Sequence, residues 1–357
     1  MSGTVGGLVP SESEASSGPL FYVDQLSVTF QKRGRLSAGT GAVKAVDGVS
    51  FEMGVGECLG LVGESGSGKS SIARAMVRVI PSRGKFVFRG VDFFGLKGEA
   101  LRVARREIQM IFQNPQGSLD PRQTARQVVR EPLVEHGLLA VGQVEARVEE
   151  LMDQVGFNWA LADRYAHQLS GGQCQRLAIA RSLGLGAELL ICDEPTSALD
   201  VSVQAQIINL LKDLQQTNRT SYVFISHNLA VVRQLATKVA VMYRGRIVES
   251  APVAELFGAP KHPYTLELLG YEALELTSAI GPARPGPGED LTIAGLSSSG
   301  MTGCSFAPRC PYAEERCTRE APLPERVTDL HMVECHRWRF IEGADRTEGD
   351  DGAVASH

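Results

Sequence analysis

Leu169-Ser170-Gly171-Gly172-Gln173, the pentapeptide LSGGQ, carries more information than any other stretch of this chain. Upstream of it lies Gly63-Glu64-Ser65-Gly66-Ser67-Gly68-Lys69-Ser70, a full G-x-x-x-x-G-K-S/T phosphate loop. Downstream, the apolar run Leu189-Leu190-Ile191-Cys192 ends in Asp193-Glu194. A triphosphate is a dense negative charge, so its site needs backbone N–H donors, a helix N-terminus, a cation and a metal ligand close together. The loop supplies all four: Gly63, Gly66 and Gly68 let the backbone curl round phosphates, Lys69 aims at the β- and γ-phosphates, and the Ser70 hydroxyl is a ligand for Mg²⁺. Ser65, Ser67 and Ser71 complete the set expected to touch nucleotide. A phosphate loop by itself says only that a nucleotide binds, because many unrelated NTPases share it.

The surroundings fit that motif. Cys58 to Val62 reads as a short buried strand and Ser70 to Ile80 has helical periodicity, the strand, loop and helix order a phosphate loop requires. Ahead of them, Phe21–Phe30 alternates like a strand and Val43–Met53 reads as a second, an antiparallel edge joined by the loop from Gln31 to Ala42. From about Pro115 to Ser182 the pattern is helical, most regular over Gln143–Val155. Strands are expected again at Leu189–Cys192, Ser221–Ile225 and Val239–Tyr243, with helices over Val203–Gln216 and Leu229–Leu235 between them and a hairpin turn at Arg244-Gly245-Arg246, which suits an α/β core.

Composition narrows the partners. The 357 residues carry 36 basic and 41 acidic side chains, a net charge of −5, which argues against a surface built for nucleic acid. The first twenty residues lack the basic stretch and apolar core of a secretory signal and are expected to be a flexible leader. No run reaches the roughly 18 apolar residues of a membrane span, so any pore would be made by other chains. The acidic, apolar-poor residues 343–357 are expected to form a disordered tail.

Taken in order, phosphate loop, LSGGQ and Asp193-Glu194 resemble the ATP-binding-cassette (ABC) ATPases. The resemblance implies an α/β P-loop cassette over residues 21–258, with a RecA-like core, an antiparallel β subdomain and a helical signature subdomain. It implies roles for individual residues: Asp193 on Mg²⁺, Glu194 polarising the attacking water, and His227 in FISHNLA as a switch histidine. Gln113 in IFQNP would touch metal or water and link catalysis to a membrane partner, Asp200 would belong to the D-loop, and Phe30 would stack on adenine or serve the core. Ser170, Gly171, Gly172 and Gln173 would close on the ATP held by an opposite cassette, so hydrolysis would need a dimer.

The remaining residues, 259–342, point to a subfamily. Lys261-His262-Pro263-Tyr264-Thr265 resembles the HPYT segment of oligopeptide and dipeptide importer ATPases, and Cys304, Cys310, Cys317 and Cys335 follow in C-x5-C-x6-C-x17-C spacing. In a reducing compartment four clustered thiols argue for metal over disulfides, and the absence of C-x2-C pairs weakens a zinc ribbon. The resemblance implies a 4Fe-4S cluster on a small Cys-rich C-terminal extension, with zinc the alternative; His331 and His336 could substitute as ligands, but four thiolates leave no need for them. Cys58, Cys174 and Cys192 read as packing residues.

The expected protein is then the ATPase subunit of an importer of di- or oligopeptides at the cytoplasmic face of the membrane, more like the second ATPase of the paired systems. Its expected partners are a second, homologous cassette, two membrane permeases and an extracytoplasmic peptide-binding protein. Import of nickel, glutathione or another small solute by the same subfamily is one competing reading. A non-transport ABC ATPase of repair or translation is another, disfavoured by the single cassette, and a redox-sensing role for the cluster is a third.

Overall fold

In β1 (Phe21–Gln31), alternate side chains face the interior, so the strand leans one face on the core and shows the other to water. The alternation slips at Gln25, which takes a positive φ of 50° at the first of three shifts in the pairing register with β2 (Ala42–Met53). This is a computed structural model that describes residues 18–31, 42–277 and 302–344. The expected leader up to residue 17, the loop 32–41 and the tail from 345 lie outside the described residues, as do residues 278–301, whose segment 281–288 is rich in Pro and Gly.

β3 (Cys58–Val62) is buried at every position and feeds the phosphate loop into α1 (Lys69–Met76). The helix stops short of the expected Ile80 because Arg78 turns left-handed at φ 58°. β4 (Arg83–Phe88), β5 (Val91–Asp92), α2 (Gly98–Glu107) and β6 (Ile108–Ile111) follow. The helical subdomain is α3 (Ala125–Glu135), α4 (Val144–Gln154) and α5 (Gly171–Gly184), and all three pack on one another. Then come β7 (Leu189–Asp193), α6 (Val201–Asn218), β8 (Ser221–Ile225), α7 (Leu229–Leu235), β9 (Lys238–Tyr243) and β10 (Arg246–Pro252). Arg244 and Gly245, at φ 44° and 85°, make the tight β9–β10 turn, the mirror-image type that matches the twist of the flanking strands.

Two sheets result. The smaller is antiparallel, in order β2-β1-β4-β5, and the larger runs β11-β12-β10-β9-β3-β8-β7-β6. Within the larger, β9, β3, β8, β7 and β6 are mutually parallel. One apolar core lies on each face of these strands: Cys58 and Val62 point into the helical side, Leu59 and Leu61 toward the antiparallel sheet and α1. Burial on both faces is why CLGLV and LLICD read as unbroken apolar runs instead of alternating.

The last described segments are α8 (Val253–Gly258), α9 (Pro263–Thr277), α10 (Glu315–Arg319), β11 (Glu325–Arg326), β12 (Met332–Val333) and α11 (Trp338–Ala344). They join the large sheet: β12 pairs antiparallel with β10, and β11 with β12. Tyr264 and Phe306 are buried in the same core as the helical subdomain. Glu249 of β10, itself buried, accepts the backbone N–H groups of Lys261 and His262 at 2.7 and 2.9 Å and meets His331 Nε2 at 2.8 Å. Among the described residues no helix is long and apolar enough to cross a membrane.

Candidate active site

The parallel strands deliver their C-terminal ends side by side, the place where open α/β sheets bind ligands. β3 ends in the phosphate loop, its neighbour β8 in Ser226-His227, the next strand β7 in Asp193-Glu194, and β6 in Phe112-Gln113. Strand order thus brings together residues that are up to 164 positions apart, Gly63 and His227 among them.

In the phosphate loop, Gly63 has φ 143°, and a Cβ there would stand 2.1 Å from the Met242 carbonyl oxygen. No other residue fits that approach of loop to β9. Lys69 is buried and its ammonium donates to the carbonyls of Gly63 (2.7 Å) and Glu64 (2.8 Å) and, at 3.3 Å, to Ser67 Oγ. Burial lowers its pKa from the usual lysine value, opposed by the carboxylates of Glu194, Asp193 and Glu64. Ser65 and Gly66 line the open cleft beside the loop. Ser71 donates its N–H to the Gly68 carbonyl at 3.0 Å, in the first turn of α1.

Ser70 Oγ donates to Asp193 Oδ1 at 2.7 Å. Burial raises the Asp193 pKa, with the Ser70 bond, Arg74 and Lys69 pulling the other way. A buried carboxylate and a hydroxyl facing one another suit a divalent cation, which would relieve the carboxylate's desolvation. Glu194 takes φ 47°, a left-handed conformation that costs a non-glycine residue about 1–3 kcal/mol and that clusters at functional sites. Its carboxylate accepts from Gln113 Nε2 at 3.0 Å and stands 3.6 Å from His227 Nδ1. Gln113, Glu194 and His227, separated by 81 and 33 positions in the chain, form one polar cluster over the strand ends.

Phe30 is exposed and pairs across the sheet with Val43. Two residues further on, the Ala45 carbonyl oxygen would lie 2.3 Å from a Cβ on Gly68, so β2 carries the Phe30 end of the sheet to the edge of the phosphate loop. The signature lies elsewhere. Ser170 caps α5 in a capping box, its Oγ accepting from Gln173 N–H at 3.3 Å while the Gln173 side chain accepts from Ser170 N–H at 2.9 Å. Among the described residues no hydrogen bond or ion pair joins residues 170–173 to the phosphate loop. Gly172 lies against α6: a Cβ there would stand 2.4 Å from Val203 Cγ1. Asp200 caps α6, accepting from Val203 N–H at 2.9 Å and Ser202 Oγ at 2.7 Å, so its carboxylate is occupied within its own turn.

Cys304, Cys310, Cys317 and Cys335 line one small cavity with Phe306 and Tyr312, and all four are free thiols. Cys304 N–H donates to the Cys317 carbonyl at 2.7 Å, which holds the two segments together. Burial pushes the Cys335 thiol up to about 12 and raises Cys304 and Cys310 as well, with the neighbouring thiols adding to each. Among the described residues no three His, Cys, Asp or Glu side chains are gathered closely enough to hold a single metal ion. His331 is bonded to Glu249, whereas His336 lines the same cavity as the four cysteines.

Two residues to which the sequence reading gives no place at the loop also reach it, Tyr264 of the HPYT segment and Arg309. Tyr264 OH accepts the Glu64 N–H at 2.9 Å, and Arg309 grips the Glu64 carboxylate. These contacts span 200 and 245 positions, and no local period or motif signals such a pairing.

Residues 46–197 match the ABC transporter family, and residues 248–317 match the oligopeptide/dipeptide transporter C-terminal region. The chain is 43% identical over 310 residues to the oligopeptide transport ATP-binding protein AppF of Bacillus subtilis, covering 85% of this chain and 93% of that one. It is 45% identical over 305 residues to the di/tripeptide transport ATP-binding protein DppF of Pseudomonas aeruginosa, covering 84% and 92%. Among solved structures, it superposes on the ATP-binding cassette MJ0796 in a dimeric post-hydrolysis state bound to ADP and Pi. That match has a TM-score of 0.58 at 26% identity over 65% of this chain and 98% of the other.

Proposed function

This chain belongs to the ABC transporter family as an ATP-binding subunit with the oligopeptide/dipeptide C-terminal region, and from that premise we propose that it powers import of di- or oligopeptides by hydrolysing ATP. The observation that carries the proposal is the Gln113–Glu194–His227 cluster poised over a complete phosphate loop. Phosphoryl transfer to water needs little covalent help; it needs a positioned nucleophile and compensation of charge. Lys69 exchanges its loop acceptors for phosphate oxygens, and the loop N–H groups and the α1 N-terminus face the same charge. Glu194 accepts a proton from water, with Gln113 holding its carboxylate and His227 beside it. Ser70 and Asp193 would hold Mg²⁺, with Gln113 beside them, and the ion would neutralise β- and γ-phosphate charge. Phe30 offers an exposed ring for adenine.

Among the described residues no hydrogen bond or ion pair ties Ser170, Gly171, Gly172 or Gln173 to their own phosphate loop, which supports the reading that they serve a second cassette's ATP. Two permeases, a second cassette and an extracytoplasmic binding protein complete the proposed assembly, placing this chain peripherally on the cytoplasmic face. Residues 21–258 form the proposed cassette and 259–342 the extension. In the extension we assign a 4Fe-4S cluster to Cys304, Cys310, Cys317 and Cys335. Four thiolates round one cavity suit a cubane, where each binds a different iron, better than one ion.

The test is ATP-dependent uptake of a labelled dipeptide by proteoliposomes holding this chain and its co-encoded partners. Glu194→Gln is expected to abolish uptake and to slow ATP turnover on the order of 10²–10⁴-fold. Uptake of another solute with none of peptide would overturn the cargo. For the cluster, anaerobically purified protein is expected to carry iron and sulfide with broad visible absorption, lost in Cys317→Ser; colourless, iron-free protein would refute it.

A further inference from the structure

Every polar group of Glu64, the second residue of the phosphate loop, is engaged. Its N–H donates to Tyr264 OH, and its carbonyl accepts from Lys69 Nζ at 2.8 Å. Its carboxylate takes both ends of the Arg309 guanidinium, Nη2 to Oε1 at 2.9 Å and Nη1 to Oε2 at 3.1 Å. A paired fork of this kind fixes direction as well as distance. Arg309 is held in turn from behind: it also bonds Glu267 of α9 and lies over the rings of Phe306 and Tyr243, 5.6 and 5.8 Å from their centroids. It occupies the turn between Cys304 and Cys310, immediately before Cys310. Glu64, Ser65, Gly66 and Ser67 share the cleft with Tyr243, Arg244 and Arg309. The extension therefore reaches across the sheet and holds one side of the loop.

We propose that Arg309 is a positioning residue for ATP: its fork on Glu64 keeps the phosphate loop in the shape that binds nucleotide, so the cysteine-bearing turn helps to set ATP affinity. The proposal rests on the reading of this loop as the ATP site. The Glu64 carbonyl is one of three groups that hold Lys69 before phosphate arrives. A Glu64 free to rotate releases that carbonyl and lets the loop leave its cradle. Apparent affinity falls by the fraction of time the cradle is lost.

Plain electrostatics makes the opposite prediction for one variant. Glu64 is a negative charge beside a triphosphate site, so Glu64→Gln should tighten ATP binding if charge alone matters. If position matters, it should weaken it. Titration calorimetry of ATP into the full-length chain, with thermal unfolding run in parallel, reads the difference. The expected result is a roughly tenfold weaker Kd for Arg309→Ala and for Glu64→Gln, with the double variant no weaker than the worse single one, as coupled partners require. Arg309→Lys keeps the charge without the fork and is expected to weaken binding several-fold at unchanged Tm, which keeps the test decisive if the alanine variant unfolds. In the assembled transporter the effect should fall on KM for ATP, with kcat within about twofold. Wild-type affinity in Glu64→Gln and Arg309→Lys, or losses that simply add, would overturn the proposal. Failure of the wild-type chain to bind ATP would instead overturn the reading of the site.

Discussion

Lys69 and Glu194 show how much of this site's chemistry resides in single side chains held against their preference. Lys69 is an ammonium taken out of water and kept by three loop oxygens, two of them carbonyls, and those carbonyls are the acceptors a phosphate replaces. Lys69→Ala should therefore reduce ATP affinity by more than tenfold while barely changing Tm, checked by calorimetry and thermal unfolding. His262 gives a prediction of a different kind. Its ring is fully buried, its Nδ1 accepts the Tyr264 N–H at 3.0 Å, and burial lowers its pKa to about 4. The unfolded chain takes up that proton near pH 6.5 and the folded chain does not until about pH 4. Stability is thus complete above pH 6.5 and is lost as pH falls toward 4, by up to about 3 kcal/mol from this one group. His262→Asn, which keeps an acceptor for Tyr264 N–H, should flatten that part of the stability curve measured by urea unfolding between pH 7 and pH 4.5.

Helix starts organise the next level. α5 and α6 both begin at side-chain caps, Ser170 and Asp200, and both starts meet where Gly172 touches Val203. Gly172→Ala would drive a methyl group into Val203, an overpacking that should cost about 1–3 kcal/mol; Val203→Ala in the same chain should restore most of it, measured by denaturant unfolding. Asp200→Ala removes the α6 cap and should cost about 0.5–2 kcal/mol, with a larger effect on activity than on stability if the same turn also faces a second cassette. Elements with strong local signals were readable from the chain: β3 and α1 around the phosphate loop, α4 from its period, α7 to the residue. The region from Arg83 to Ile111 was not. Its strand β5 is two residues long, and α2 is polar in composition and buries no side chain fully, so neither presents an apolar run. The extension also reads as a separate unit in sequence because its composition changes after Phe257; in the fold it adds strands to the main sheet, where β12, some eighty residues on, pairs the outer edge of β10.

At the scale of the whole molecule, strand order does what no motif can. Parallel neighbours β3, β8, β7 and β6 align four chain segments whose motifs are individually short, and the sequence displays those motifs without showing that they share one edge of a sheet. The same is true of Arg309 and Glu64, whose pairing needs both the sheet and the docked extension. The extension's other effect follows from where it docks. A sheet edge is a row of unpaired N–H and C=O groups, an open template for another chain. By laying β12 along β10 and the two-residue β11 along β12, the chain ends this side of its sheet in strands too short to recruit a neighbour. A chain cut after Gly258 would bare β10 and leave the buried Glu249 carboxylate without His331, Lys261 and His262. Such a fragment should aggregate at concentrations where the full chain stays dispersed, as light scattering would reveal; the segment that grips the phosphate loop is thus also the protein's safeguard against self-association.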